Sequence, residues 1–192
     1  MNNQEDRNSQ NSRKDDIPHV KLVLPEKTKK FNFPTKMVNP KAMSRRAFFY
    51  ACKYKEMINI LFESKSIDNI LHAEHFASLI GLTCEIFLKS LLYYQQKASI
   101  CEFESGHDLD DLYDKISDPV KNILLKCFLE ENGKRITKAE LEEAIKRNNS
   151  AFVLFRYEYE CNGTVVEMQF MRILMEALYQ TCKKVIIANT FA

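Results

Sequence analysis

The chain has 192 residues, of which 45% are apolar and 28% are charged, and its formal net charge is +2. This length suits one domain, or one domain plus an arm, with a sizeable core. Only four glycines are present, and four of the five prolines lie in the first forty residues, which argues against a turn-rich β-sandwich or barrel. The composition therefore favours an all-α fold of long helices.

The N-terminal forty residues differ from the rest of the chain in polarity and charge. Residues 1–16 contain too little apolar surface to offset the entropy of ordering, which predicts a disordered tail. Residues 17–40 interleave apolar side chains with four prolines and predict an extended basic arm, which either contacts phosphates or serves as a solubilising tail. The body, residues 41–192, holds 20 Lys and Arg against 21 Asp and Glu, so it lacks the general basic bias of a dedicated nucleic-acid binder.

The body is predicted to form an up-and-down bundle of five to six helices. Apolar residues spaced by three and four predict a first helix over about 41–64 and a longer second helix over about 68–97. A loop through Gly106 follows the second helix.

Shorter helices are predicted after this loop. Asp108 is placed to cap a helix over 109–116 through its carboxylate. Pro119 fits the first turn of the next helix, because a proline there removes no hydrogen bond. Asn132 and Gly133 are typical of the end of that helix.

The C-terminal third contains one ambiguous segment between two predicted helices. Thr137 and Glu140 form a capping box for a helix over about 138–147. Alternating aromatic and charged residues within 152–168 indicate a short β-hairpin, and a continuing helix is the alternative. The last helix is predicted from about 166 to 189.

Six cysteines are scattered without the close pairs that zinc ligands require. The polar N-terminus has no apolar core of a signal peptide, and no stretch approaches the roughly 20 apolar residues of a membrane span. We therefore expect a soluble, reduced, cytoplasmic protein without a membrane partner, a metal or another cofactor.

Two charged positions on the second helix and one loop histidine are candidates for a functional site. Glu85 and Lys89 lie four residues apart, so they share a helix face that apolar residues surround. The carboxylate is therefore either paired within the bundle or lines a cleft. His107 precedes Asp108 and could orient against a carboxylate, although a simple capped junction between loop and helix is the alternative.

Two arginines form a further candidate group. Arg147 precedes two asparagines, and Arg156 lies among aromatic residues, where it could bind phosphate or pair with Glu85. His72 and His75 could in principle share a metal, but no further ligand is visible nearby, so surface or partly buried histidines are the preferred interpretation.

Taken in order, these pieces resemble the HEPN family, the helical domain of prokaryotic toxin–antitoxin, phage-defence and nucleotidyltransferase-associated systems. The resemblance covers roughly residues 41–190. Its motifs are Glu-x-x-x-Lys-x-Leu-Leu at 85–92, Gly-His-Asp-Leu at 106–109, Leu-Tyr at 112–113 and Arg-Tyr-x-Tyr-Glu at 156–160. It implies a helical bundle, often a homodimer, which in active members is a metal-independent endoribonuclease.

Active HEPN members carry an Arg followed after about four to six residues by a His that acts on the RNA 2′-hydroxyl. Arg147 begins such a motif, but Ala151, Phe152, Val153 and Leu154 stand where the His is expected, and no His follows His107. The usual nuclease chemistry therefore does not carry over to this chain.

Three interpretations remain. The preferred one is a non-catalytic module that binds RNA, a nucleotide or a partner protein such as an antitoxin or a nucleotidyltransferase. Its cleft would be formed by Glu85, Lys89, His107, Arg147 and Arg156. The alternatives are a diverged endoribonuclease that uses His107 and Arg156, and a structural dimerisation partner in which Glu85 and Arg156 form a buried ion pair.

Overall fold

A computed structural model of the chain describes residues 39–63, 70–149 and 166–188, and of residues 70–74 it describes only the backbone. These ranges are all-α, as predicted, and contain six α-helices and no strand. The helices are α1 Pro40–Glu63, α2 Ile70–Gln95, α3 Leu109–Asp114, α4 Asp118–Asn132, α5 Lys138–Arg147 and α6 Met168–Cys182. The predicted tail over 1–16, nearly all of the arm over 17–40 and the ambiguous segment up to residue 165 lie outside the described residues.

Helices α1 and α2 pack antiparallel and approach closely at two serines. The Ser44 hydroxyl donates to the carbonyl of Ser90, and the Ser90 hydroxyl donates to the carbonyl of Ser44, both at 2.8 Å. Both residues are fully buried, and their small side chains let the two backbones come near each other. On either side of this contact, Lys41 reaches the Tyr94 carbonyl and the Phe48 ring packs near the Phe87 ring.

Helix α2 is the central element, since α1, α3 and α6 all pack against it. Its inward face is almost completely buried and joins one hydrophobic core that also takes in α4 and α5. The stretch His75–Gln95 is long and apolar enough to cross a membrane by length and composition alone, which the sequence analysis did not anticipate. However, 72% of its most apolar window is buried inside the fold, which is consistent with the core helix of a soluble protein.

Several predicted helix ends are confirmed. Pro119 lies in the first turn of α4, and Gly133 ends that helix with a left-handed φ of 65°, which glycine adopts without steric cost. The capping box at the start of α5 is formed on both sides, since Thr137 and Glu140 each accept a hydrogen bond from the other's backbone. Pro40, which the sequence analysis placed in the arm, is the first residue of α1.

One prediction about a helix end is wrong, and one helix changes its geometry near its end. Asp108 occupies the capping position before α3 but its side chain makes no capping hydrogen bond; the acceptor comes from Asn149, as described below. The last helix keeps α-helical geometry only from Met168 to Cys182 and then continues as a π-helical segment, Lys183–Ile187. This wider segment lets the neighbouring Val185 and Ile186 both face the core.

Candidate functional site

Helix α2 places a carboxylate and an ammonium on a largely buried part of its surface. Glu85 and Lys89 are one turn apart, and Lys89 Nζ lies 2.8 Å from Glu85 Oε1. The Glu85 side chain is 4% exposed and the Lys89 side chain 14%. The spacing in the sequence therefore predicted a real pair, and the structure places it within the bundle.

The loop after α2 turns back and runs along the same helix towards Glu85. Gln96 holds the start of this loop, because its amide accepts from the backbone N–H of Glu102 at 3.0 Å and donates to the carbonyl of Glu102 at 2.7 Å. One helical turn earlier, Tyr93 is buried, and this burial raises the pKa of its hydroxyl, while a hydrogen bond with the backbone of Glu104 in the loop opposes the shift. The loop thus carries His107 back to the level of Glu85.

The end of α5 anchors the other side of His107. The Asn149 side chain accepts a hydrogen bond from the backbone of Asp110 at 3.0 Å, and its carbonyl accepts one from Leu109 at 3.3 Å. Asn149 therefore satisfies the free N–H groups at the start of α3 in place of Asp108. The adjacent Asn148 is buried and accepts from the backbone of Glu167 at 2.9 Å, which ties α5 to the start of α6.

Glu85, Lys89 and His107 form a compact group that we call the Glu85 cluster. His107 Nδ1 lies 3.1 Å from Glu85 Oε1, the oxygen that Lys89 also contacts. An ionised carboxylate only accepts, so this contact is a hydrogen bond in the tautomer of His107 that carries a proton on Nδ1. The imidazole is 55% exposed, so the cluster has a buried acidic end and a solvent-facing imidazole.

The second oxygen of the Glu85 carboxylate, Oε2, takes part in neither of the contacts that Oε1 makes with Lys89 and His107. Oε2 is buried, yet it has no hydrogen-bond partner within the described part of the chain. A buried acceptor without a donor costs about 1–3 kcal/mol, so such groups are rare in native folds. Within the described residues, the cluster therefore offers one unused acceptor position beside two cationic or hydrogen-donating groups.

Tyr113, in the Leu-Tyr motif at 112–113, is part of the hydrophobic core. It is 1% exposed, and the ammonium of Lys121 lies 4.5 Å from the centre of its ring. Burial, together with the negative charges of Glu142 and Asp114, raises the pKa of its hydroxyl. The phenol is therefore neutral at ordinary pH and packs α3 into the core.

The remaining predicted site residues do not join the Glu85 cluster. Arg147 Nε donates to Glu167 Oε1 at 3.1 Å, with both side chains about half exposed. Arg147 also lines an open groove of about 1010 Å³ between α4, α5 and α6. Arg156 lies outside the described residues, as does the side chain of His72, and His75 is exposed on α2.

Sequence reasoning missed Gln96 and Asn149, which position the loop and the start of α3. The two consecutive asparagines after Arg147 were a usable signal, because asparagine side chains often bond nearby backbone groups at helix ends. Their partners could not be read from the sequence, since Asn149 and Asp110 are 39 residues apart.

No protein-family model, no curated protein and no solved structure matches this chain.

Proposed function

We propose that this chain is a HEPN-like, non-catalytic module that binds RNA or a nucleotide at the Glu85 cluster. The single observation that carries the proposal is the buried oxygen Oε2 of Glu85, which lacks a donor among the described residues. A ligand that brings an N–H group to this oxygen recovers the free energy that the unsatisfied acceptor costs. The free energy recovered at Oε2 therefore contributes to the affinity of the cluster for such a ligand.

Nucleobases fit this requirement, because guanine, adenine and cytosine carry amino or imino N–H groups along the edges that proteins read. Lys89 and His107 border the carboxylate and are suited to a phosphate of the same ligand. Since His107 is the exposed member, the ligand enters from its side and displaces or stacks on the imidazole.

A second candidate function has one observation in its favour. The hydrogen bond from His107 Nδ1 to Glu85 resembles the carboxylate–histidine pairs that hold an imidazole for proton transfer. This arrangement is compatible with a diverged, metal-independent endoribonuclease. We rank it second, because one histidine provides either an acid or a base, whereas cleavage at the 2′-hydroxyl uses both roles.

The resemblance also suggests the physiological setting of the module. We propose that the module acts in the cytoplasm as a homodimer within a toxin–antitoxin or phage-defence system. Its partner would then be an antitoxin or a nucleotidyltransferase.

The experiment that tests the proposed function is calorimetric titration of the full chain. The probes are the four ribonucleoside 5′-monophosphates and a mixed-sequence single-stranded RNA, with EDTA present. We expect binding by the wild type, loss of binding by Glu85→Gln, and no loss by Glu102→Gln, an exposed carboxylate in the neighbouring loop. Absence of wild-type binding, or equal binding by both variants, would refute the proposal. RNA cleavage that disappears in His107→Ala would replace it with the nuclease function.

A further inference from the structure

Helix α1 has a large apolar surface that faces solvent. Five large apolar side chains on this helix are exposed: Phe49 at 58%, Tyr50 at 54%, Met57 at 42%, Ile60 at 60% and Leu61 at 38%. Contiguous exposed apolar surface of this kind is uncommon on soluble monomers and typically marks an interaction site. We define the α1 outer face as Arg46, Phe49, Tyr50, Lys53, Met57 and Ile60.

The spacing of the α1 outer face matches a helix–helix seam. Residues 46, 50, 53, 57 and 60 alternate in steps of four and three, which is the repeat of a coiled-coil stripe. The opposite face of α1, with Ser44, Phe48, Ala51 and Ile58, is already buried in the fold. The helix therefore has one apolar stripe that the described residues cover, and a second, mixed stripe with Arg46 and Lys53 among its apolar side chains that they leave exposed.

Charge is distributed unevenly along the α1 outer face and its edge. Arg46 and Lys53 lie on the N-terminal part of the face, and Glu56 and Glu63 border its C-terminal part. None of these four side chains forms an ion pair within residues 39–63, 70–149 and 166–188. Two such helices repel each other when parallel, because like charges then lie side by side, and attract each other when antiparallel.

We propose that the α1 outer face pairs with the same face of a second copy, with the two α1 helices antiparallel across a two-fold axis level with Lys55. This register sets Tyr50 of one copy against Ile60 of the other. It also brings Lys53 beside Glu56 of the second copy, and Arg46 beside Glu63. The interface is self-complementary, as a two-fold dimer requires.

A single-stranded nucleic acid is the competing occupant, since Phe49 and Tyr50 could stack bases and Arg46 and Lys53 could contact phosphates. The C-terminal part of the face favours a protein partner instead. Met57 and Ile60 have no ring for stacking, and nearby Glu56 and Glu63 repel phosphates. The interface gives a contact surface to the homodimer proposed above and rests on that proposal, but it does not depend on ligand binding at the Glu85 cluster, which lies on α2.

Sedimentation of the full chain tests this dimer directly. We expect a wild-type dimer whose dissociation constant rises more than about ten-fold in Ile60→Glu. The matched control is Ile100→Glu, which places the same charge on another exposed isoleucine, 44% exposed in the loop after α2. Ile100→Glu should keep the wild-type melting temperature, whereas Ile60→Glu should still unfold cooperatively but lose the stabilisation that dimerisation gives to the wild type.

A charge exchange tests the antiparallel register. Lys53→Glu alone places two carboxylates together and should weaken the dimer, and the double variant Lys53→Glu/Glu56→Lys should restore it. A monomeric wild type, a dimer unaffected by Ile60→Glu, or failure of the double variant to recover would overturn the proposal. So would a monomer that binds single-stranded RNA and loses that binding in Tyr50→Ala, because this outcome assigns the face to nucleic acid.

Discussion

Asn149 and Asp110 are 39 residues apart in the sequence, yet the side-chain oxygen of Asn149 accepts the backbone hydrogen of Asp110 at 3.0 Å. This bond fixes the start of α3 to the end of α5. His107 lies two residues before α3 begins, so the position of its imidazole depends on this contact as well as on its own bond to Glu85.

The first prediction concerns this cap. Asn149→Ala should lower the free energy of unfolding by about 1 kcal/mol, because it leaves an N–H group at the start of α3 without an acceptor. Asp108→Ala should change it by less than about 0.5 kcal/mol, since Asp108 makes no capping bond. Urea unfolding of the two variants measures the difference. A larger loss for Asp108→Ala would show that the cap is assigned to the wrong residue.

The second prediction concerns the Glu85–Lys89 pair. Lys89→Met should destabilise the fold by about 2 kcal/mol, somewhat less than the ~3–5 kcal/mol typical of a broken buried pair, because His107 still contacts the carboxylate. The double variant Glu85→Leu/Lys89→Met removes both charges and should recover most of this loss.

A more exposed ion pair provides the control for this experiment. Lys115 and Glu104 are 2.9 Å apart, and the lysine side chain is 51% exposed. Lys115→Met should therefore cost less than about 1 kcal/mol. If the double variant at 85 and 89 is as unstable as Lys89→Met, the pair contributes through packing rather than charge.

The third prediction is a pH dependence at the start of α5. Hydrogen bonds from the backbone N–H and the hydroxyl of Thr137 lower the pKa of Glu140. Because the folded pKa lies below the unfolded one, the contribution of Glu140 to stability is present above the ordinary glutamate range and is lost as pH falls through the lowered value.

Melting temperatures of wild type and Glu140→Gln measure this contribution. The wild type should melt higher at about pH 7, and the difference should shrink as the pH falls through the lowered pKa of Glu140, because the protonated carboxyl is then neutral like the glutamine. Glu143→Gln, on the exposed side of the same helix, should differ little from wild type at either pH. A difference between wild type and Glu140→Gln that persists in acid would contradict a titrating cap.

The fourth prediction concerns thiol reactivity. Burial raises the pKa of the Cys84 and Cys182 thiols, and both side chains are fully buried. Cys52 is only partly buried; burial raises its pKa, while Lys55 and Lys183 oppose that shift. Since thiolates are the reactive species, Cys52 should be the first of these three to react with a thiol reagent at neutral pH.

The measurement uses a Cys101→Ala/Cys127→Ala/Cys161→Ser background, so that only the three thiols compared remain among the six cysteines of the chain. Native protein should show one fast phase that Cys52→Ser removes, whereas Cys84 and Cys182 should react only on unfolding. Fast labelling of Cys84 in the native state would mean that α2 opens locally.

The features predicted correctly from the sequence depend on neighbouring residues. The capping box at Thr137 and Glu140, the helix end at Gly133 and the pair Glu85–Lys89 all involve residues at most four positions apart. Their geometry follows from the helix repeat, so the local sequence is sufficient to predict them.

The features that were missed depend on contacts between distant elements. Asn149 takes over the role predicted for Asp108 because the packing of α3 against α5 brings its side chain to Asp110. Likewise, the sequence suggested a carboxylate partner for His107 but did not say which one. The partner is Glu85, because the loop that Gln96 holds turns back along α2. Whether Arg156 also approaches Glu85 remains a prediction, since it lies outside the described residues.

The Asn149 cap also sets the order in which the Glu85 cluster can form during synthesis. Glu85 and Lys89 leave the ribosome together on α2, whereas the hydrogen bond of Asn149 with Asp110, which anchors the start of α3 after His107, can form only when α5 has emerged. A nascent chain that ends before α5 therefore has the ion pair without its anchored imidazole. The anchor of the Glu85 cluster is therefore added late, after α5 has packed against α3.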